Sequence, residues 1–340
     1  MKKHLLPDEG RFYKANLHCH TTVSDGAFTP AEIKEQFMAR GYSIVAYTDH
    51  EVMVPHPELA DEDFLPITSY EIAINEGKWT PFCKTYHLNI YSPEISRSVS
   101  RTFAKTSVWG DALSHVTDEM IAASTHPRKY TKEFVQWIID TATEEGCLVS
   151  YNHPVWSLQS KEDYTGLRGF FGVEWINNGC ARGGLCDTVR PIEDLLAEGE
   201  RMCYPLGGDD CHGQNDCFGA WVCVKATSLD YTEVFEALRR GDFYSSAGPE
   251  IKELYIEDGA VHVKTSEVAA IRFITDHRYT QTVASSDGLP VTEATFSLDT
   301  FFANAKLAPE GHNVWFRIDV TDACGKYART RAYFTDEIEE

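Results

Sequence analysis

Short apolar runs recur along the chain, separated by stretches of helical period, and almost every run ends on a side chain that can bind a metal ion. The first, over 13–17, leads into His18-Cys19-His20. A helix with readable ends follows: Thr29 as N-cap, Pro30 at the first helical position, Glu32 completing a capping box and Gly41 as the stop. Ile33, Phe37 and Met38 form a single stripe on it, suited to packing on a sheet. Later runs cover 43–47 before Thr48-Asp49-His50, 65–70 before Glu71, 84–86 before His87 and 148–151 before Asn152-His153-Pro154. Two more cover 171–173 before Glu174 and 203–206 before Gly207-Gly208-Asp209-Asp210-Cys211-His212. Helices are expected over 131–145, stopped by Gly146, and over 232–240, stopped by Gly241.

Strands that all end on potential ligands suggest an α/β barrel, which carries its chemistry on the loops after its strands. Seven such strands make a barrel one unit short of the usual eight. A doubly wound open sheet is the alternative, but its ligands would gather at one switch point. The polar stretch over 92–130, with Trp109, His115 and His126, reads as a lid or surface excursion, and its histidines as surface or capping residues. From 251 onward the pattern changes to alternation over 251–257, 261–265, 271–275, 294–298, 314–320 and 328–334, with turns at Asp258-Gly259, Asp287-Gly288 and Gly325. This predicts a barrel over 1–249 and a small antiparallel β-sandwich over 250–340.

A length of 340 residues with 43% apolar content supports a substantial globular core. The net charge of −21 and isoelectric point near 5.0 argue against nucleic acid or an anionic membrane as partner. A small anionic substrate stays compatible if cations neutralise the site. No stretch reads as a secretory signal or a membrane span, which makes a cytoplasmic location the expectation. The ten cysteines contain no Cys-x-x-Cys pair and read as reduced thiols packed as small apolar side chains.

Alternate residues of a strand share a face, so His18 and His20 can aim at one point. Together the candidate ligands are His18, His20, Asp25, His50, Glu71, His87, His153, Asp210 and His212. Imidazole and carboxylate without thiolate suit two to three divalent ions, with Zn, Mn or Fe favoured over Mg or Ca. Asp49 reads either as a carboxylate orienting the neighbouring His50 or as a helix cap, and Glu174 as a partner of a ligand. Arg182, in a Gly-rich loop, reads either as a donor to a substrate phosphate or carboxylate or as a solvated residue. Trp156 and Trp175 either wall a pocket or pack in the core.

In the order His18-Cys19-His20, Ser24-Asp25-Gly26, Thr48-Asp49-His50, Glu71, His87, His153-Pro154 and Asp210-Cys211-His212, the chain resembles the PHP family, named for polymerase and histidinol phosphatase domains. The resemblance spans about residues 13–248. It implies a distorted seven-stranded (βα) barrel with a trinuclear centre. The first ion would lie on His18, His20, Glu71 and Asp210, the second on Asp25, His50 and His212, and the third on His87 and His153, with Glu71 bridging. The stretch Ala237 to Tyr244 with Ser246-Ala247-Gly248-Pro249 resembles the branch carrying a β-rich C-terminal domain, which includes carbamate and amide hydrolases beside phosphoesterases. The expected activity is hydrolysis of a small phosphorylated metabolite by metal-activated water, with His212, Asp210 and Asp49 in catalytic roles and His212 able to deliver the leaving-group proton. Carbamate, amide or ester hydrolysis at the same centre is the alternative, followed by a non-catalytic metal-bearing binding module.

Overall fold

A computed structural model describes residues 2–124 and 126–338 of the chain. All seven apolar runs form strands: Arg11–Asn16, Tyr42–Tyr47, Leu65–Asn75, Thr85–Tyr91, Leu148–Tyr151, Gly172–Asn177 and Tyr204–Gly208. They lie side by side in chain order. Three helices pack on this sheet as their patterns require. Pro30–Met38 carries the full Thr29/Glu32 capping box and buries Ile33 and Phe37 near Tyr42 and Val45. Lys132–Glu144 buries Ile138 and Ile139 with Ile90 and Val149. Tyr231–Arg240 buries Val234, Phe235 and Leu238 with Val222 and Val224, and Gly241 closes it at φ +74°. Each such side chain contributes about 1.5–3 kcal/mol relative to exposure.

Two features differ from a seven-stranded (βα) barrel. The Thr85–Tyr91 strand runs antiparallel to both of its neighbours, Leu65–Asn75 and Leu148–Tyr151. That reversal puts the start of its strand, and His87, at the edge where the parallel strands end. In addition, no strand ladder among the described residues closes a ring. The free edge of Arg11–Asn16 is taken by an antiparallel strand, Trp221–Ala226, so Tyr204–Gly208 cannot pair with it. The two meet only beyond their ends, where Asp210 N donates to His18 O at 2.9 Å and His20 N to Cys211 O at 3.0 Å. Trp221–Ala226 escaped the sequence pattern because it ends on no potential ligand.

Strand Phe243–Ser246 pairs with Trp221–Ala226 on one side and with Tyr327–Thr330 on the other, so the large sheet runs on into the C-terminal β-rich part. There Ala270–Thr275, Thr280–Ala284 and Trp315–Thr321 extend it. Ile251–Glu257, Ala260–Val268 and Val291–Ser297, joined by Lys3–His4, form a separate four-stranded sheet. Leu254, Val263 and Phe296 of that sheet share a buried cluster with Phe273, Phe316 and Ile318 of the large one. The Thr280–Ala284 edge strand is polar and half exposed, and the Asp299–Ala305 helix has no side-chain cap, so neither left a signal in the sequence.

A buried charge cluster ties the two parts together. Asp319 accepts from Arg329 Nη2 at 2.8 Å and from Arg317 Nε at 3.0 Å, and Arg317 also reaches Glu193 at 3.0 Å on the Arg190–Ala197 helix. Arg329 stacks 4.2 Å from the Trp175 ring, whose Nε1 donates to Ser245. Trp175 is therefore a core residue. Burial pushes the Asp319 pKa up, but Arg329 and Arg317 hold it down to about 2. Its stabilisation is complete above the ordinary carboxylate pKa and is lost as pH falls from about 4 toward 2. Asp319→Ala, which strands two buried guanidiniums, is expected to cost about 3–5 kcal/mol in denaturant unfolding at neutral pH.

Candidate metal centre

The loops after the strands are bonded to one another before any ligand is considered. Thr48 N donates to Cys19 O at 2.8 Å, Glu51 N to Glu71 O at 2.8 Å, Asn152 N to His87 O at 3.0 Å and Ala27 N to His212 O at 2.8 Å. Asp49 accepts from Thr21 N, Thr21 Oγ1 and Ser24 Oγ at 2.7–2.9 Å, and so shapes the turn that presents Asp25. It bonds no imidazole, which corrects the expectation that Asp49 orients His50. Asp209 accepts from the amides of Phe218, Gly219 and Ala220 and holds the following loop. Within that loop Cys211 and Cys217 form a disulfide, against the expectation of ten reduced thiols. The fold-back imposed by Asp209 brings their Cα atoms to 5.3 Å.

The structure gathers all nine candidate ligands around Glu71, a carboxylate 1% exposed. His18 Nε2, His20 Nε2, His50 Nδ1, His87 Nδ1 and His153 Nε2 stand 3.1–3.4 Å from its oxygens. Asn152 donates to Glu71 Oε1 at 2.8 Å. Asp210 Oδ1 lies 3.2 Å from His18 Nε2 and 3.1 Å from His20 Nε2, and those two nitrogens are 3.2 Å apart. His212 approaches Asp25 at 3.4 Å. Its Nδ1 stands 3.0 Å from the Asp210 carbonyl, which as a hydrogen bond leaves the Nε2 lone pair for an ion or a proton. His153 and Asp210 hold positive φ angles, +26° and +51°, a backbone cost for residues other than glycine.

A divalent ion fits these atoms. His20 Nδ1, His50 Nδ1, His87 Nδ1 and Asp210 Oδ1 are buried without a hydrogen bond, although acidic oxygens or imidazole nitrogens stand 3.1–3.6 Å away. Such clustered, unbonded donors are costly unless a cation takes them. The donors form three overlapping groups: His20, Asp25, His50 and His212; His18, Glu71 and His153; and His18, His20 and Asp210. His87 joins none of these groups but touches Glu71 at 3.1 Å. His115 and His126 join none either among the described residues, and His126 packs against Trp137.

The electrostatics agree with a cation-demanding site. Burial opposes charge on His20, yet the adjacent carboxylates of Asp210 and Glu71 raise its pKa to about 10. His153 rises to about 9 against burial through Glu71 and Asp210. His50 falls to about 3, from burial and then from the charge of His20. The carboxylates that favour a positive charge on His20 and His153 would equally favour a cation held between them. Metal binding competes with protons for these imidazoles and is expected to weaken in acid.

A cavity of about 470 Å³ opens over this floor. Ala73, Asn75, Trp79, Trp109 and Trp156 complete its walls. Arg182 does not line it. The Asn177 side chain caps the short Asn178–Arg182 helix by accepting from Cys180 N, and Arg182 at its far end is exposed. The substrate-binding expectation for Arg182 is therefore corrected. Sequence reasoning missed Asn152, whose position beside His153 was the available signal, and Trp79, which had none.

No family model matches the chain. A 5'-3' exoribonuclease of Haemophilus influenzae is 36% identical over 70 residues, 19% of this chain, and the chain spans only 26% of that protein's length. A solved two-domain protein of Bacteroides vulgatus, containing a PHP-like metal-dependent phosphoesterase assigned by prediction, matches 98% of this chain and 97% of its own, at 15% identity and TM-score 0.45. The chain is similar to PHP-like proteins. A Bifidobacterium adolescentis protein assigned as a metal-dependent phosphoesterase matches 62% of this chain and 90% of its own, at 18% identity and TM-score 0.39. A Chromobacterium violaceum amidohydrolase with bound sulfate and no metal matches 59% and 88%, at 14% identity and TM-score 0.39. No helix among the described residues is long and apolar enough to cross a membrane.

Behind the candidate site, Glu174 accepts from His18 Nδ1 at 2.7 Å, from His153 N at 3.1 Å and from Asn177 Nδ2 at 3.1 Å. The first bond fixes the His18 proton on Nδ1 and turns Nε2 toward the cluster. Glu174→Gln is expected to weaken Mn²⁺ or Zn²⁺ binding about 10–100-fold while thermal unfolding of the protein without added metal changes little. Calorimetric titration of the two proteins checks this.

Proposed function

We propose that this chain is a metal-dependent hydrolase that cleaves the phosphomonoester of a small phosphorylated metabolite. The observation that carries the proposal is the convergence of buried, unbonded nitrogen and oxygen donors on Glu71 at the floor of a small-molecule cavity. Two to three divalent ions, Zn, Mn or Fe, are proposed, held by His18, His20, Asp25, His50, Glu71, His87, His153, Asp210 and His212. When bound, such ions activate water and stabilise charge on the attacked centre and the leaving oxygen.

The chain's own residues do the rest. Glu174 and Asn152 set the orientation of His18 and Glu71. Asp210 is placed between His18, His20 and His212, so it holds the two sides of the cluster at one spacing. His212 is the most open of the proposed ligands, and with its Nδ1 committed to the Asp210 carbonyl its Nε2 either holds an ion or, when it holds none, presents a proton to the leaving oxygen. In this reading the substrate is a small anion, nucleic acid and membrane are not partners, the enzyme works in the cytoplasm, and the hydrolase unit is 1–249 with the β-sandwich over 250–340.

Mn²⁺-loaded protein offered parallel phosphomonoester and carbamate panels is expected to release phosphate, and His20→Ala to lower kcat/KM about a hundredfold or more. Cleavage of carbamates or carboxylic esters without phosphate release would keep the centre and move the substrate to that class. Tight metal binding with no turnover on either panel would leave a binding module.

A further inference from the structure

Three of the chain's seven tryptophans reach the cavity, each from a different segment. Trp79 comes from the connection between Leu65–Asn75 and Thr85–Tyr91, Trp109 from the 92–130 excursion and Trp156 from the loop after His153. They are 63%, 47% and 36% exposed. Trp109 stands 5.5 Å from the His50 ring, and Trp156 stands 5.2 Å from His87 and 5.1 Å from His153. The aromatic walls therefore begin directly at the proposed ligands. Leaving large indoles half in water around one opening is unfavourable unless something covers them.

Charge on the walls points the same way. Among the described residues that line the cavity there is no lysine or arginine. The nearby Arg128 is committed to Glu51 and to Ala73 O, the latter at 2.8 Å. A substrate with several anionic groups along its length would find no cation above the floor.

We infer that the substrate is an aromatic ester: one small reacting group at the floor, and a flat, apolar leaving group held between Trp79, Trp109 and Trp156. The inference rests on the reading of the cavity as a hydrolytic site, and it narrows that reading by setting aside sugar phosphates and polyphosphates. Offset or edge-on stacking of one ring on an indole contributes about tenfold in affinity.

The test separates recognition from turnover. Binding of 1-naphthylmethylphosphonate and of methylphosphonate, neither of which can be hydrolysed, is measured on Mn²⁺-loaded protein by calorimetry and by quenching of tryptophan fluorescence. The naphthyl probe is expected to bind about a hundredfold more tightly, and this ratio to fall about tenfold in Trp79→Ala and again in Trp156→Ala. Trp79 is too exposed for its loss to endanger the fold, and the methyl probe reports whether Trp156→Ala has disturbed the floor. A ratio near one in the unaltered protein, or one that neither substitution changes, overturns the inference. A tryptophan-dependent preference together with cleavage of naphthyl acetate but not naphthyl phosphate supports it and overturns the phosphomonoester reading instead.

Discussion

Glu71 is the constraint on which the rest depends. Its carboxylate is sealed from water and faced by five imidazoles, those of His18, His20, His50, His87 and His153. Those imidazoles cannot all be protonated, because like charges at this spacing repel strongly in a dry interior. Nor can they all be neutral and satisfied, because their inward nitrogens have too few donors among them. Cations resolve both problems at once. Burial raises the Glu71 pKa, but the surrounding imidazoles, His87 and His18 first, drive it well below the usual range, so the carboxylate is ionised and ready to hold them.

The sheet exists in a form that serves this point. Parallel strands deliver His18, His50, His153 and Asp210 from their ends, while Glu71 sits inside the long Leu65–Asn75 strand. The reversed Thr85–Tyr91 strand delivers His87 from its beginning. The loops are then fastened by Asp49, Asp209 and Glu174, three buried carboxylates that bond backbone or side-chain donors. The candidate ligands are thus placed by the protein's own hydrogen bonds, with no ion needed to gather them.

Much of this was legible in the sequence because metal ligation needs particular atoms at strand ends. Apolar runs followed by His or Asp announce both the strand and its ligand, and the capped helix of Pro30–Met38 is written in Thr29, Pro30 and Glu32. What escaped had no local signature. Strand direction depends on which edge is free, so the reversal at Thr85–Tyr91 and the capture of the Arg11–Asn16 edge by Trp221–Ala226 are decided by tertiary pairing. The side to which a polar residue turns is equally non-local. Asp49 read as a partner for His50 or a helix cap and instead serves Thr21 and Ser24, and of the two readings of Arg182 the exposed one is what its place at the helix end gives. The disulfide of Cys211 and Cys217 follows from the loop that Asp209 folds back, not from their spacing.

The most direct test of a Glu71-centred metal site is the metal content of the protein after exposure to Mn²⁺ or Zn²⁺ and removal of free ion, compared with that of Glu71→Gln. The unaltered protein is expected to hold about two to three equivalents per chain and the folded variant about one or none. Equal metal content in both proteins would contradict a site centred on Glu71.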